Sequence, residues 1–271
     1  MANQSSRAQE LASEAAIYLK DRVDILIEGS LRDRIMAGSG APDLECEVLS
    51  PGEDETDMLL VFGGDGTILR AARSIHPSES PICGVNLGRL GFLSQIEPKD
   101  LEPTLDRLIS GDFDVSSRMK IDAYLEGELL GSALNELLVI GARIGKIFRC
   151  DLSLGFSGEL LLEGDGVVVS TPTGSTGHSL SAGGCVVDPE SNAIVVAPLG
   201  AMEPSRGFVL PAEREVVISP RDECSLALDG VVRAEAGEGS EIIVRRSESR
   251  TLFATFGSDR FWRKLRERIG G

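Results

Sequence analysis

A chain of 271 residues, 42% apolar and 26% charged, has the balance of an ordinary globular protein and length for one large domain or two modest ones. With 43 acidic against 27 basic residues the formal charge is −16, and so acidic a surface repels nucleic acid and anionic membranes, which argues against both as main partners. Five scattered cysteines and two histidines, with no C-x-x-C pair, argue against a structural zinc site and for a reduced, cytoplasmic setting.

The first 14 residues are polar and read as the start of a helix, not as a secretory leader. Over 4–20, Leu11, Ala15, Ala16 and Leu19 recur at helical spacing. Short strands are expected at 23–27 and 46–49, and the continuous apolar run 58–62 suits a strand buried on both faces of a parallel sheet. A helix at 68–75, a strand at 81–85 and an amphipathic helix at 99–109 continue the alternation, which predicts a doubly wound α/β domain over 1–112. Beyond it the texture is extended. Strands are expected at 121–125, 137–140, 150–154, 159–163, 167–170 and 193–197, then at 215–218, 225–228, 241–245 and 252–256, with turns such as Glu126-Gly127 between them. This predicts a β-rich, sandwich-like domain over 113–256. A helix at 259–269, with Phe261, Trp262, Leu265 and Ile269 along one side, is assigned back to the first domain as residues 257–271. The uncharged stretch 166–187 is broken by Gly, Pro, Ser and Thr and cannot span a membrane.

Lysine occurs at only five positions, 20, 99, 120, 146 and 264. Scarce Lys beside abundant Asp and Glu suits either a high-salt habitat, where hydrated carboxylates outcompete screening, or an acidic cytosolic protein.

Four segments carry chemistry. Gly63-Gly64-Asp65-Gly66-Thr67 lies between a buried strand and a helix, where backbone N–H groups and the helix N-terminus can hold phosphate. Asp65 can take a proton from an attacking hydroxyl, contact a divalent cation, or serve as a plain helix cap; Arg70, one turn on, can reach back to phosphate. Asn86-Leu87-Gly88-Arg89-Leu90-Gly91-Phe92-Leu93 reads alone as a structural turn. Asn135-Glu136 offers acceptors and donors for ribose hydroxyls and an adenine edge. The segment 164–184, GDGVVVSTPTGSTGHSLSAGG, runs from a strand into a turn dense in hydroxyls and glycine, little bulk and many donors, with a short helix expected from Thr176.

In this order the four segments, spanning about 57–200, resemble the NAD kinases, with weaker echoes at Leu228-Asp229-Gly230 and in the C-terminal helix. GGDGT alone is shared with lipid and phosphofructokinase-type kinases; STPTGST joined to Asn-Glu is what resembles NAD kinase. The resemblance implies transfer of a phosphoryl group from ATP or polyphosphate to the adenosine 2′-hydroxyl of NAD, giving NADP. Asp65 is then the general base. Gly63, Gly64, Gly66 and Thr67 form the phosphate turn, with Arg70 a candidate contact. Asn135 and Glu136 hold the adenosine, Asp165 lies near the nicotinamide riboside, and Thr173, Thr176, Gly177, His178, Ser181 and Lys146 supply further NAD contacts. Gly66 and Asp65 also face NAD. Mg²⁺ or another divalent cation is expected to arrive on the nucleotide phosphates, with Asp65 a candidate contact and no dedicated ligand assigned. A homodimer or homotetramer is expected. Four positions depart from the family pattern: Gly177 and His178 replace Ala-Tyr, Cys185 replaces Pro, and Val231 replaces a polar residue. His178 is expected to stack on a base in place of Tyr, more weakly and with pH sensitivity. Two alternatives stand beside this reading: a diacylglycerol- or sphingosine-type lipid kinase, and a nucleotide-sensing protein without turnover.

Overall fold

The computed structural model describes residues 1–2, 5–37, 46–50, 54–74, 80–88, 91–202, 207–257 and 260–269. Gln4, Ile75, Arg89, Leu90 and Asp259, which figure in the sequence expectations, lie outside them. The chain divides into two compact units, 1–116 with 251–271, and 117–250.

The first unit alternates helix and strand as its sequence predicts. Helix α1 (Ser6–Leu19) is capped by Ser5, whose hydroxyl accepts the Ala8 N–H, and it buries Leu11, Ala15, Ala16 and Leu19. Strands β1 (Leu26–Glu28) and β2 (Glu47–Leu49) pair in parallel, with helix α2 (Gly29–Ala37) after β1. Strand β3 (Leu59–Gly63) leads into α3 (Asp65–Ser74), and β4 (Ile82–Asn86) pairs with β3 in parallel, Gly63 opposite Asn86. A single 3₁₀ turn (Pro98–Asp100) precedes α4 (Leu101–Ile109). The core joins α1 to Phe62, Cys83, Val85 and Ala254, and takes in Leu101 and Leu105 of α4. Helix α6 (Arg260–Ile269) closes the chain. Because β3 and β4 run in parallel, their carboxyl ends, where ligands bind in open α/β sheets, carry the GGDGT and Asn86-Leu87-Gly88 turns side by side.

The second unit is β-rich. Strands β5 (Asp114–Leu125) and β16 (Ile242–Thr255) are long, and the boundary between the units falls within both. Between them lie β6 (Glu128–Ala133), β7 (Glu136–Gly141), β8 (Phe148–Ser153), β9 (Leu160–Gly164) and β10 (Gly166–Ser170). There follow the four-residue helix α5 (His178–Ser181), then β11 (Ala193–Leu199), β12 (Phe208–Pro211), β13 (Val216–Pro220), β14 (Cys224–Leu228) and β15 (Val231–Ala236). One antiparallel sheet has the order β12-β11-β10-β7-β14-β15. The other strings β9-β8-β13-β16, with the β5–β6 hairpin beside β16. Their inner faces share one core of Leu137, Val139, Phe148, Leu152, Ile194 and Val244, a sandwich as expected. Both β5–β6 and β14–β15 turn on two residues with positive φ, Glu126-Gly127 and Asp229-Gly230, the primed geometry that matches strand twist.

Candidate active site

In the first unit Asp65 opens α3, and its carboxylate is held by two backbone amides: Phe92 N–H donates to Oδ2 at 2.9 Å and Leu93 N–H to Oδ1 at 3.0 Å. Both oxygens keep a further lone pair for a substrate proton. Gly63 admits no larger residue, because a Cβ there would collide with the Thr67 side chain. Gly64 packs against Gly88, leaving the amides at the start of α3 beside the Asn86-Leu87-Gly88 turn. Gly66 is exposed at the helix start. Arg70 is engaged elsewhere: Nη2 donates to the Ala2 carbonyl at 3.0 Å and Nη1 lies 3.5 Å from Glu28 Oε1, so a phosphate contact requires that pair to open. Among the described residues no three His, Cys, Asp or Glu side chains gather to hold a metal ion.

In the second unit the Asn135-Glu136 pair enters β7 and is fixed by a residue that sequence reasoning quoted only as an echo. The Asp229 carboxylate accepts N–H groups from Leu134 (3.0 Å), Asn135 (2.8 Å) and Glu136 (3.2 Å). Its φ of +46° belongs to the hairpin turn, a conformation Asp tolerates better than most residues. The Asp-Gly dipeptide after an apolar run was the available signal. Burial pushes the nearby Lys120 ammonium below its ordinary value, against the pull of Asp122 and Asp229.

The hydroxyl-rich turn packs directly on this pair. Thr171 N–H donates to the Asn135 carbonyl at 2.8 Å and its hydroxyl to that of Leu134 at 2.6 Å. A Cβ on Gly174 would collide with the Asn135 backbone, so that approach needs glycine. A 3₁₀ turn (Thr173–Thr176) buries Thr173 and Thr176, and a Cβ at Gly177 would stand 3.3 Å from Glu136 Oε2. His178 Nδ1 lies 2.8 Å from Glu136 Oε1. The histidine expected to stack on a base thus holds the carboxylate. Glu136 is 4% exposed. Burial raises its pKa first of all, the hydrogen bond and charge of His178 oppose the rise, and Asp229 adds to it. Three side-chain oxygens here, Asn135 Oδ1, Glu136 Oε2 and Thr173 Oγ1, are buried without a hydrogen-bond partner. Such acceptors call for donors, as a ribose diol or an adenine amine supplies.

The remaining expected contacts fall apart from this group. Ser181 is exposed on α5. Strands β7 and β10 are antiparallel, with Ser170 opposite Glu136 and Gly166 opposite Ile140. Asp165, and Lys146 in the turn after β7, therefore lie toward the far end of that ladder, roughly 15 Å from Glu136 at 3.3 Å per residue. Both are exposed. The sequence did not foresee that they and Asn135-Glu136 occupy opposite ends.

A carboxylate in a glycine turn at the ends of parallel strands, and buried acceptors beside a turn of hydroxyls, define a nucleotide-dependent kinase that phosphorylates an alcohol. Residues 3–113 match the ATP-NAD kinase N-terminal domain and 134–256 the ATP-NAD kinase C-terminal domain. The chain is 32% identical to the NAD kinase of Methanothermobacter thermautotrophicus over 97% of its own length and 92% of that protein's. With the NAD kinase of Geobacter sulfurreducens it shares 36% identity over 97% and 94%. Its fold superposes on yeast NADH kinase complexed with NADH at TM-score 0.90 (23% identity, 100% of this chain and 86% of that one). It superposes on an Archaeoglobus fulgidus NAD kinase in complex with ATP at 0.70 (27% identity, 89% and 96%). The chain belongs to the ATP-NAD kinase family, phosphotransferases acting on NAD. Neither the lipid-kinase nor the sensor alternative gains support from these relatives.

Proposed function

We propose that the chain transfers the terminal phosphoryl group of ATP to the adenosine 2′-hydroxyl of NAD, with the first unit handling donor phosphates and the second holding NAD. The 2′-oxygen forms the new bond to phosphorus, the bond from that phosphorus to the ADP oxygen breaks, and the hydroxyl proton passes to Asp65. Gly63, Gly64, Gly66 and Thr67 form the turn that meets the donor phosphates, with the Thr67 N–H donating to the Gly64 carbonyl at 2.9 Å and so shaping the turn. Asn135, Glu136 and Thr173 accept hydrogen bonds from the adenosine, with Thr176 and Gly177 in the same turn and Ser181 an outlying contact on α5, while Asp165 and Lys146 serve the nicotinamide side. The divalent cation is taken to enter as MgATP, part of the co-substrate, with Asp65 a candidate contact. Its charge offsets the repulsion between a chain at −16 and two polyanionic nucleotides. A homo-oligomer in the cytoplasm completes the reading; among the described residues no helix is long and apolar enough to cross a membrane.

The observation that supports this best is the trio of buried, unpartnered acceptors at Asn135, Glu136 and Thr173. The test is incubation with NAD, ATP and Mg²⁺ and detection of NADP by an NADP-specific dehydrogenase. 2′-Deoxy-NAD is then expected to compete with NAD without being phosphorylated. Absence of NADP, or phosphorylation of the deoxy analogue, would refute the proposal.

A further inference from the structure

We infer that Lys264 is a positioning residue for Asp65, acting through the single peptide group that joins Gly91 to Phe92. The inference rests on the reading of Asp65 as general base. The Phe92 N–H that holds Asp65 Oδ2 belongs to the same peptide unit as the Gly91 carbonyl, and that carbonyl accepts a hydrogen bond from Lys264 Nζ. The same ammonium donates to the Ser94 carbonyl at 2.8 Å and to Ser94 Oγ at 3.3 Å. One peptide plane therefore carries an ammonium at its oxygen end and the carboxylate at its N–H end. The partners lie far apart in sequence, Lys264 on the C-terminal helix and Asp65 at the start of α3.

A cation on a carbonyl oxygen draws electron density toward it and leaves the N–H at the other end of the peptide more positive. Hydrogen bonds in such a chain strengthen one another, by about 10–30% per bond. Lys264 thus fixes the Phe92 amide that orients Asp65 and sharpens its grip, with no proton moving along the chain. The loop is shaped to receive it. Gly91 sits at φ +48°, where a Cβ would collide with Ser94 Oγ and Asn86 Oδ1, and Ser94 Oγ donates back to the Gly91 carbonyl at 3.1 Å. Phe261, on the same helix as Lys264, lies tilted against Phe92 with ring centroids 6.0 Å apart. Lys264 is 5% exposed. Burying an ammonium is expensive, and an apolar side chain would fill the same space at lower cost if packing were its only task.

The test is steady-state kinetics with NAD and MgATP on Lys264→Gln, Asp65→Asn and the double variant, each checked for folding by thermal melt. Lys264→Gln is expected to lower kcat about 10- to 100-fold, the scale of a misplaced catalytic group, with the KM for NAD within about twofold of wild type. In the Asp65→Asn background the same substitution is expected to change the rate by less than about twofold, the limit of additive error. A wild-type kcat in Lys264→Gln, or a loss that multiplies undiminished onto that of Asp65→Asn, overturns the inference. The reading of Asp65 fails separately, if Asp65→Asn alone turns over normally. Should Lys264→Gln not fold, ¹⁵N-lysine spectra of wild type and Asp65→Asn decide. With only five lysines in the chain, the Lys264 side-chain resonance is expected to move while that of Lys20 stays, and an unmoved Lys264 signal overturns the inference.

Discussion

Replacing Glu136 with Gln is expected to make the protein more stable and less active at the same time. The carboxyl is almost fully buried, with Oε1 on His178 and Oε2 unpartnered, and burial raises its pKa above the ordinary 4.5 despite the opposing hydrogen bond from His178. An acid whose pKa is higher in the folded state binds more protons folded than unfolded. Stability is therefore greatest below the ordinary value and falls as pH rises through the folded one. Gln, which does not titrate, is spared that loss. The Tm of Glu136→Gln minus that of wild type, measured by calorimetry without nucleotide at fixed ionic strength, is expected to grow as pH rises above the ordinary carboxylate value. Adding His178→Asn to both proteins is expected to widen the gap, since the bond that favours the ionised form is gone. Activity moves the other way. A hydrogen bond to a charged acceptor contributes about 1.5–3 kcal/mol, so kcat/KM for NAD is expected to fall roughly 10- to 150-fold. A Tm difference that shrinks between pH 5 and 8 would refute the claim that the buried carboxylate weighs on the fold. An unchanged kcat/KM would refute its contact with NAD.

Asp65→Asn removes the base and turns an NH₂ group against one of the two amides that hold it. A rate loss of about 10²–10⁴-fold and a destabilisation of about 1–3 kcal/mol are expected, and turnover within tenfold of wild type would refute the assignment. Asp229→Ala strands three N–H groups and places Ala at positive φ, so Tm is expected to drop by roughly 5 °C or more with a higher KM for NAD; unchanged values in both would rule out its positioning role. Raising KCl from 0.1 to 1 M shortens the screening length from about 10 to about 3 Å, and at a net charge of −16 Tm is expected to rise; a fall would remove self-repulsion as the dominant surface term. Burial pushes the Cys150 thiol up to about 12 and that of Cys224 to about 11, so at pH 8 a thiol reagent is expected to label exposed Cys185 and to spare those two until the protein unfolds.

What was legible in the sequence is what local chemistry encodes. The apolar run before GGDGT is a buried strand because both its faces are covered, and the Glu126-Gly127 turn closes a hairpin because glycine supplies the positive φ. Helix α2 escaped notice because its short segment opens with Gly-Ser and lacks a clear apolar stripe. Strands β12 and β15 are the two edges of their sheet; the first is only four residues and ends in proline, and the second carries Arg and Glu among its apolar residues, so neither read as a strand. Strands β5 and β16 proved longer than their apolar portions because exposed residues interrupt the run. The supports of the site were hidden for a different reason. Asp229 reaches the Asn135 amide across 94 positions, and Lys264 reaches Gly91 across 173. Arg70 meets Glu28 through the packing of the first unit. No local pattern announces a partner that topology alone brings near.

These supports share a principle that bears on the acidic charge of the whole chain. Asp65 is held by two peptide N–H groups and Asp229 by three. Glu136 is held by an imidazole. Peptide donors orient a carboxylate without cancelling its charge, as a paired arginine would. A carboxylate so held keeps lone pairs free to meet a substrate hydroxyl. It also remains repulsive to phosphate, so turnover is expected to require positive charge delivered with the donor nucleotide. Chelation by excess EDTA is accordingly expected to abolish NADP formation while NAD binding persists, and added Mg²⁺ to restore turnover. Full activity in EDTA would mean that side chains alone neutralise the phosphates, contrary to this account.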